Sequence, residues 1–207
     1  MKKKLLIPLF LAGMALPLAM PNEEIKNIAQ SMAQSSKQLN RLVLMLYDSS
    51  DKGLKEAEEC DKEQVVNPNE VVRIVVNYIV DITPGLHIDI ETEVPDDFTF
   101  KTNERLLAYS VSEVIFNAVK YSDREHIKVR VVRVDSVIQF IVEDTGKGIA
   151  QADRERIFKF FTKVDDFSEG LGMGIPLAKS HAITLNGDFW LDTDYDKGCR
   201  FVFELPV

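Results

Sequence analysis

Histidine and cysteine, the side chains that most often bind transition metals, are scarce in this chain of 207 residues. The two cysteines, Cys60 and Cys199, stand far apart and form no C-x-x-C pair, so neither a disulfide framework nor a zinc site is expected. The three histidines, His87, His126 and His181, show no metal-ligand spacing such as H-E-x-x-H. A reducing compartment is favoured, and no metal site built on imidazole is predicted.

Positive charge is also in short supply, because 25 Lys and Arg oppose 33 Asp and Glu and leave a net charge of -8. Proteins that bind nucleic acid neutralise phosphates with Lys and Arg, so no nucleic-acid partner is expected. A single nucleotide held by a few donors is compatible with this charge. The P-loop spacing G-x-x-x-x-G-K-[ST] and the dinucleotide spacing G-x-G-x-x-G are both absent, so neither of those sites is predicted.

Long apolar runs are missing as well, since none reaches the 18 or so residues of a membrane span. Residues 1–20, MKKKLLIPLFLAGMALPLAM, combine a basic start with a shorter apolar run and small residues. Three interpretations stay open: a signal-like leader and an apolar first helix of a bundle, which rank equally, and a membrane anchor, which ranks third. Membrane association is therefore expected only through residues 1–20.

A heptad pattern follows this apolar segment and predicts one long helix. Asn22 is suited to cap it, and its stripe repeats at steps of four and three: Ile25, Ala29, Met32, Ser36, Leu39, Val43 and Leu46. Such a stripe packs against another helix, within the chain or across a dimer, although an ordinary amphipathic surface helix is also compatible. Gly53 and the charged residues around it predict a linker. The predicted domains are 1–20, 21–55 and 56–207.

Beyond the linker, the apolar pattern alternates between the helical and the strand period. Helices are predicted over 69–79, 103–122, 151–161 and 173–184, and strands over 87–94, 98–101, 127–134, 137–143, 189–193 and 200–205. The first two strands are predicted to pair as a hairpin around Pro95 and Asp96. The order indicates an α+β fold, a two-layer sandwich of a mixed sheet with helices on one face.

The helix over 103–122 carries a polar face as well as an apolar one. Glu113, Asn117 and Lys120 lie at i, i+4 and i+7, with Tyr121 beside them. Hard cations such as Mg²⁺ take oxygen ligands, so Glu113 and Asn117 are suited to a metal that a phosphate chain completes, with Lys120 on the phosphate. A solvated helix face would show the same pattern.

A carboxylate and two glycines follow the strand over 137–143. Asp144 continues the alternation of Phe140 and Val142, so its side chain is expected to point inward at the sheet edge. A carboxylate there needs donors, and the exocyclic amine of a purine is one. Gly146 and Gly148 would let the backbone approach a flat base. A lone D-x-G-x-G string also forms ordinary turns.

A third segment, EGLGMGIPLAK, places Gly170, Gly172 and Gly174 at the start of a predicted helix. Backbone N–H groups and the positive end of the helix would then be exposed to an anion, which predicts a phosphate cradle. Residues 162–168 have few packing side chains and predict a mobile lid.

Together these segments resemble a known family. FNAVKYS, DTGKGI, IFKFF and GLGMG are similar, in order and spacing, to the asparagine, first glycine, phenylalanine and second glycine boxes of the histidine-kinase ATP-binding domain. That domain belongs to the GHKL superfamily, with gyrase, MutL and a class of heat-shock chaperones. The closing GCRFVFELP resembles the family's last strand, and LNRLVLMLYDSSDKG resembles the second helix of the dimerisation and phosphotransfer hairpin. The resemblance implies a GHKL (Bergerat) sandwich that binds ATP and Mg²⁺.

The resemblance also implies roles for particular residues. Asn117 becomes a Mg²⁺ ligand, Lys120 a phosphate contact, and Asp144 the acceptor of the adenine amine. Lys163 is expected to reach the terminal phosphate. The other nucleotide-site and lid residues implied are Tyr121, Gly146, Gly148, Ile149, Phe158, Phe161, Gly170, Leu171, Gly172 and Gly174.

Three departures from the family pattern affect the expected activity. Glu113 stands where most of these kinases have asparagine, and it serves either as a metal ligand, the role preferred here, or as a general base toward water, as in the ATPase branch. Cys199 stands at the family's usual threonine, which predicts lower nucleotide affinity. No histidine precedes His87, so the usual phosphoacceptor is missing and phosphorylation of the chain on itself is not expected there.

The expected function is therefore transfer of the ATP γ-phosphate to a histidine in two-component signalling. The expected partners are a response regulator or a histidine-bearing helical hairpin, and a second copy of the chain through the N-terminal helices. The alternatives are a nucleotide-dependent binding module and a small GHKL ATPase. A cytoplasmic location, at most at the inner face of the membrane, is expected because export would separate the chain from ATP.

Overall fold

The computed structural model describes residues 64–122, 126–162 and 172–207. These residues all lie in the second of the two units into which the chain divides, Met45–Val207. The apolar N-terminal segment, the heptad helix and the linker lie outside the described residues, so the boundaries placed there stay predictions. No helix in the described ranges is long and apolar enough to cross a membrane.

The described residues form three α-helices and seven strands. The helices are α1 (Pro68–Ile82), α2 (Glu104–Tyr121) and α3 (Gly174–Thr184). The strands are β1 (Gln64–Val66), β2 (Ile88–Thr92), β3 (Phe100–Thr102), β4 (Ile127–Val134), β5 (Val137–Glu143), β6 (Asp188–Leu191) and β7 (Arg200–Pro206). Helices α1 and α2 begin within one residue of their predicted starts, because asparagine side chains cap them: Asn67 accepts N–H bonds from Asn69 and Glu70, and Asn103 accepts one from Leu106.

Five strands build the main sheet in the order β2-β4-β5-β7-β6. The β2–β4 pair is parallel and the other pairs are antiparallel, so the sheet is mixed as predicted. Alternate residues such as Val129, Phe140 and Phe203 are buried against the helices, whereas Lys128 and Arg130 point to the opposite face. The prediction of an α+β sandwich with helices on one face of a mixed sheet is confirmed.

The predicted hairpin over residues 87–101 is wrong. Strand β2 pairs in parallel with β4, and β3 pairs with β1 in a separate two-stranded sheet. Strand β1 was not predicted at all, because three residues are too few to show an alternating pattern. Parallel pairing joins segments that are distant in sequence, and no local turn signal marks it.

The predicted helix over residues 151–161 is also wrong. Two short 3-10 turns, Gln151–Asp153 and Arg156–Phe158, replace it. Phe161 has a positive φ of 60° and its N–H donates to the Gly172 carbonyl, so the chain leaves the helical region at this residue.

His181 of α3 is completely buried against α2. The Ser110 hydroxyl donates its proton to the Leu106 carbonyl at 2.8 Å, so the contact of 3.0 Å between Ser110 Oγ and His181 Nδ1 requires Nδ1 to donate. Its Nε2 is buried without a hydrogen-bond partner among the described residues, so a second proton there would be unsatisfied and the neutral ring is favoured. Burial, and to a smaller extent Arg105, lowers the pKa of His181 to about 4.

This buried imidazole predicts a loss of stability in acid. The unfolded chain takes up the His181 proton near pH 6.5, whereas the folded chain resists it down to about pH 4. The stabilisation that comes from burying the neutral ring is complete above pH 6.5. As the pH is lowered from 6.5 to about 4, the free energy of unfolding should fall by up to about 3 kcal/mol. Urea unfolding at both ends of this pH range should show that His181→Gln loses less free energy of unfolding than the wild type does.

His87→Gln is the matched control, because His87 is exposed. It should keep the acid dependence of the wild type. An equal loss in His181→Gln and the wild type would assign the effect to carboxylates instead.

Candidate nucleotide-binding site

Helix α2 brings a buried carboxylate to the start of α3. Glu113 is only 3% exposed, and a Cβ on Gly174 would collide with its Oε2. The carboxylate therefore lies directly against the first residue of α3, where the N-terminal end of a helix favours negative charge. Asn117, one turn further along α2, is half-buried, and Lys120 is exposed. The sequence predicted this polar face but not the burial of Glu113.

Tyr121, the last residue of α2, lies beneath two ammonium groups. Lys120 Nζ is 4.8 Å and Lys147 Nζ is 5.9 Å from the centre of its ring. Both distances are within the range of cation–π attraction. Lys147 belongs to the DTGKGI segment but was not among the predicted site residues, because nothing in that segment indicates which way its side chain points.

Asp144 lies at the end of β5 and is 4% exposed. Its Oδ1 accepts N–H bonds from Gly146 at 2.9 Å and from Cys199 at 3.1 Å, while its own N–H donates to the Cys199 carbonyl. Within the described residues, both hydrogen bonds recorded for this carboxylate are made by Oδ1, which leaves Oδ2 for a ligand. Burial raises the pKa of Asp144, and the two N–H donors offset part of this rise.

The glycines around Asp144 are required by the protein's own backbone. A Cβ on Gly146 would collide with the Tyr121 carbonyl oxygen, and a Cβ on Gly198 would collide with the Asp144 carbonyl oxygen. Gly148 adopts a positive φ of 68°, a conformation that favours glycine. From the sequence, Gly146 and Gly148 were expected to let the backbone approach a flat base. For Gly146 the structure gives a different reason, close packing of its loop on the end of α2.

Cys199 is buried beside Asp144 and has no disulfide partner in the described residues. Burial, and then the nearby Asp144 charge, raises the pKa of the Cys199 thiol to about 12. The thiol is therefore neutral at physiological pH. The functional group that Cys199 supplies to Asp144 is its backbone N–H, which the GCRFVFELP segment did not reveal.

The two lid phenylalanines occupy different environments. Phe158 packs on the core, with its ring 6.0 Å from that of Phe189, whereas Phe161 is 68% exposed. Ile149 also packs against the core.

Gly172 has a positive φ of 68°, and a Cβ there would collide with the carbonyl oxygen of Thr162. Lys163, Gly170 and Leu171 lie outside the described residues.

The described site residues come from separate segments, and contacts with α2 bring these segments together. Tyr121 touches the loop of Gly146, and Glu113 touches Gly174, so α2 contacts the loop after β5 at its C-terminal end and the start of α3 near its middle. No group of three or more His, Cys, Asp or Glu suited to a metal occurs in the described ranges. The two oxygen donors Glu113 and Asn117 nevertheless fit Mg²⁺, which takes one or two protein ligands and completes its shell with phosphate and water.

The mixed five-stranded sheet with helices on one face defines this protein as a two-layer α+β sandwich, with a buried carboxylate and a glycine-containing loop at the end of β5. Two of the solved structures that share its fold serve as examples. The catalytic domain of histidine kinase ThkA matches 70% of this chain and 95% of its own length, with a TM-score of 0.63 and 21% identity. Full-length ShkA in complex with AMPPNP matches 70% of this chain and 31% of its own length, with a TM-score of 0.61 and 23% identity.

Sequence comparison identifies the family. The chain belongs to the histidine kinase-, DNA gyrase B- and HSP90-like ATPase family, whose model matches residues 102–207. Among the curated relatives, the adaptive-response sensory kinase SasA of Gloeothece citriformis is 32% identical over 125 residues, which are 58% of this chain and 32% of SasA. The chain spans between about a third and a half of the length of the first curated relatives that it matches. The predicted membership of the GHKL superfamily is confirmed.

Proposed function

We propose that this chain binds MgATP and transfers its γ-phosphate to a histidine of a helical hairpin, as part of two-component signalling. Family membership supports the use of ATP, and the first relatives are named as sensory kinases. The observation that carries the proposal is Asp144, a buried carboxylate held by two backbone N–H groups on Oδ1, with Oδ2 left to accept from the adenine amine. ShkA, which shares this fold, was solved in complex with AMPPNP, and this supports nucleotide binding by a protein of this fold.

In this mechanism the protein acts by positioning and by electrostatics. Asp144 fixes the base, and Tyr121 forms a wall of its pocket. Glu113 and Asn117 would hold the metal, and bound Mg²⁺ would supply charge neutralisation on the transferred phosphoryl group. Lys120 contributes further positive charge beside the phosphates. Preorganised charge of this kind lowers the barrier without any covalent step by the protein.

The partners follow from this chemistry. The nucleophile is an imidazole on a helical hairpin, supplied by another chain, and a response regulator is the final acceptor. We place the reaction in the cytoplasm, where ATP is available, and expect a homodimer through the N-terminal helices. The absence of any histidine before His87 favours one second candidate, a module that binds a partner in response to nucleotide.

Incubation of the full chain with γ-labelled MgATP, with and without a helical hairpin from a related kinase, tests the proposal. We expect acid-labile label on the added hairpin, and none on a hairpin whose histidine is replaced by glutamine. Label released as free phosphate in both mixtures would overturn the proposal in favour of an ATPase. Nucleotide bound without transfer or release would overturn it in favour of the binding module.

A further inference from the structure

The loop between β6 and β7 supports Asp144 from outside the nucleotide site. The last pair of the β5–β7 ladder is Glu143 with Arg200. The next residues, Asp144 and Cys199, continue this contact through two bonds, from the Asp144 N–H to the Cys199 carbonyl and from the Cys199 N–H to Asp144 Oδ1. The position of Cys199, and with it one of the two donors on Asp144, therefore depends on how the loop over 192–199 is held.

Arg200 ties the start of this loop to the end of β5. Its Nε donates to Glu143 Oε1 at 2.9 Å, and its Nη1 donates to Asp192 Oδ2 at 3.0 Å. Tyr195, in the middle of the loop, lies with its ring centre 4.3 Å from the guanidinium carbon. Asp192 also accepts the Asp194 N–H, which bends the chain as it enters the loop.

These contacts are more strongly restrained than ordinary surface ion pairs. The side chains of Arg200, Asp192 and Glu143 are 31%, 26% and 14% exposed, so water screens them only in part. A guanidinium that donates to two carboxylates and stacks on a ring has few alternative rotamers, and it therefore restrains the groups that it contacts.

We propose that Arg200 is a positioning residue that fixes the orientation of the Asp144 carboxylate and thereby sets the preference for ATP over GTP. The inference rests on the proposed role of Asp144 as acceptor of the adenine amine. Adenine presents an N–H donor where guanine presents a carbonyl oxygen. A carboxylate held with Oδ2 toward the base accepts from the first and repels the second. A carboxylate free to turn discriminates less.

The test measures the Kd values of the full chain for MgATP and MgGTP by calorimetry. In Arg200→Met, we expect the Kd for ATP to rise by about tenfold and the Kd for GTP to change less than about twofold. Arg200→Lys keeps the positive charge but loses the planar contacts. Its Kd for ATP should lie between those of Arg200→Met and the wild type. Asp192→Asn weakens only the contact of Arg200 with the start of the loop. It should change the ratio of the Kd for ATP to the Kd for GTP in the same direction as Arg200→Met.

Arg130→Met is the matched control. Arg130 lies on the same face of the sheet and pairs with Glu91, Glu93 and Glu143, but it has no recorded contact with the described loop over 192–199. Arg130→Met should leave the ratio of the Kd for ATP to the Kd for GTP unchanged. Thermal melting followed by the single tryptophan, Trp190, shows whether each variant is folded.

A double variant separates this inference from the proposed function. In an Asp144→Asn background, Arg200→Met should cause no further loss of discrimination, because Arg200 acts through Asp144. A wild type that binds ATP and GTP equally would refute the role of Asp144 itself. A wild type that prefers ATP, together with Arg200→Met and Asp192→Asn variants that prefer it equally, would refute the inference about Arg200 alone.

Discussion

Asp144→Asn is expected to raise the Kd for ATP by about 100-fold while leaving the domain folded. The asparagine carbonyl oxygen can take the place of Oδ1 and accept the N–H bonds of Gly146 and Cys199. Its amide group then occupies the place of Oδ2 and presents a donor to the adenine amine, which is also a donor. Calorimetric titration with MgATP measures the loss.

The control for this change is Asp135→Asn. Asp135 is an exposed residue at φ 52° in the turn between β4 and β5, a conformation that asparagine also tolerates. It should bind ATP as the wild type does, and both variants should melt within a few degrees of it. Unchanged ATP affinity in folded Asp144→Asn would show that this carboxylate does not bind the base.

Glu113→Gln is expected to raise the Kd for MgATP by about 30-fold and to leave the metal-free affinity for ATP nearly unchanged. The substitution keeps the volume of a side chain that is 3% exposed and packed against Gly174, but it removes the charge that a Mg²⁺ ligand supplies. Titration with ATP in Mg²⁺ and in a chelator separates the two affinities.

Glu104→Gln, an exposed change in the first turn of the same helix, is the matched control and should leave both affinities unchanged. A Glu113→Gln variant that binds MgATP normally but no longer releases phosphate would identify Glu113 as a general base. That outcome would assign the chain to the ATPase type of chemistry.

Local sequence signals were sufficient for several elements. Strands β4 and β5 were predicted at their observed bounds, because their apolar residues alternate on both sides of the Asp135–Ser136 turn. Helices α1 and α2 begin close to the predicted residues, because the caps Asn67 and Asn103 act within three residues. The four boxes that identify the family are likewise short segments that can be recognised without their neighbours.

Other features depend on contacts between distant segments. The parallel pairing of β2 with β4 and the pairing of β1 with β3 leave no periodic signal, because their partners lie far along the chain. The apolar pattern did not indicate the exposure of Phe161 either, because a positive φ of 60° turns the backbone at this residue.

The sequence by itself determined the family, the type of fold and the segments that carry the candidate nucleotide site. Only the tertiary structure decided how those segments support one another. The Cys199 N–H reaches Asp144 across 55 residues, Glu113 is buried against Gly174, and Arg200 ties the β6–β7 loop to β5. Such contacts depend on where separate elements meet after packing, whereas composition and periodicity record only the environment of each element along its own length.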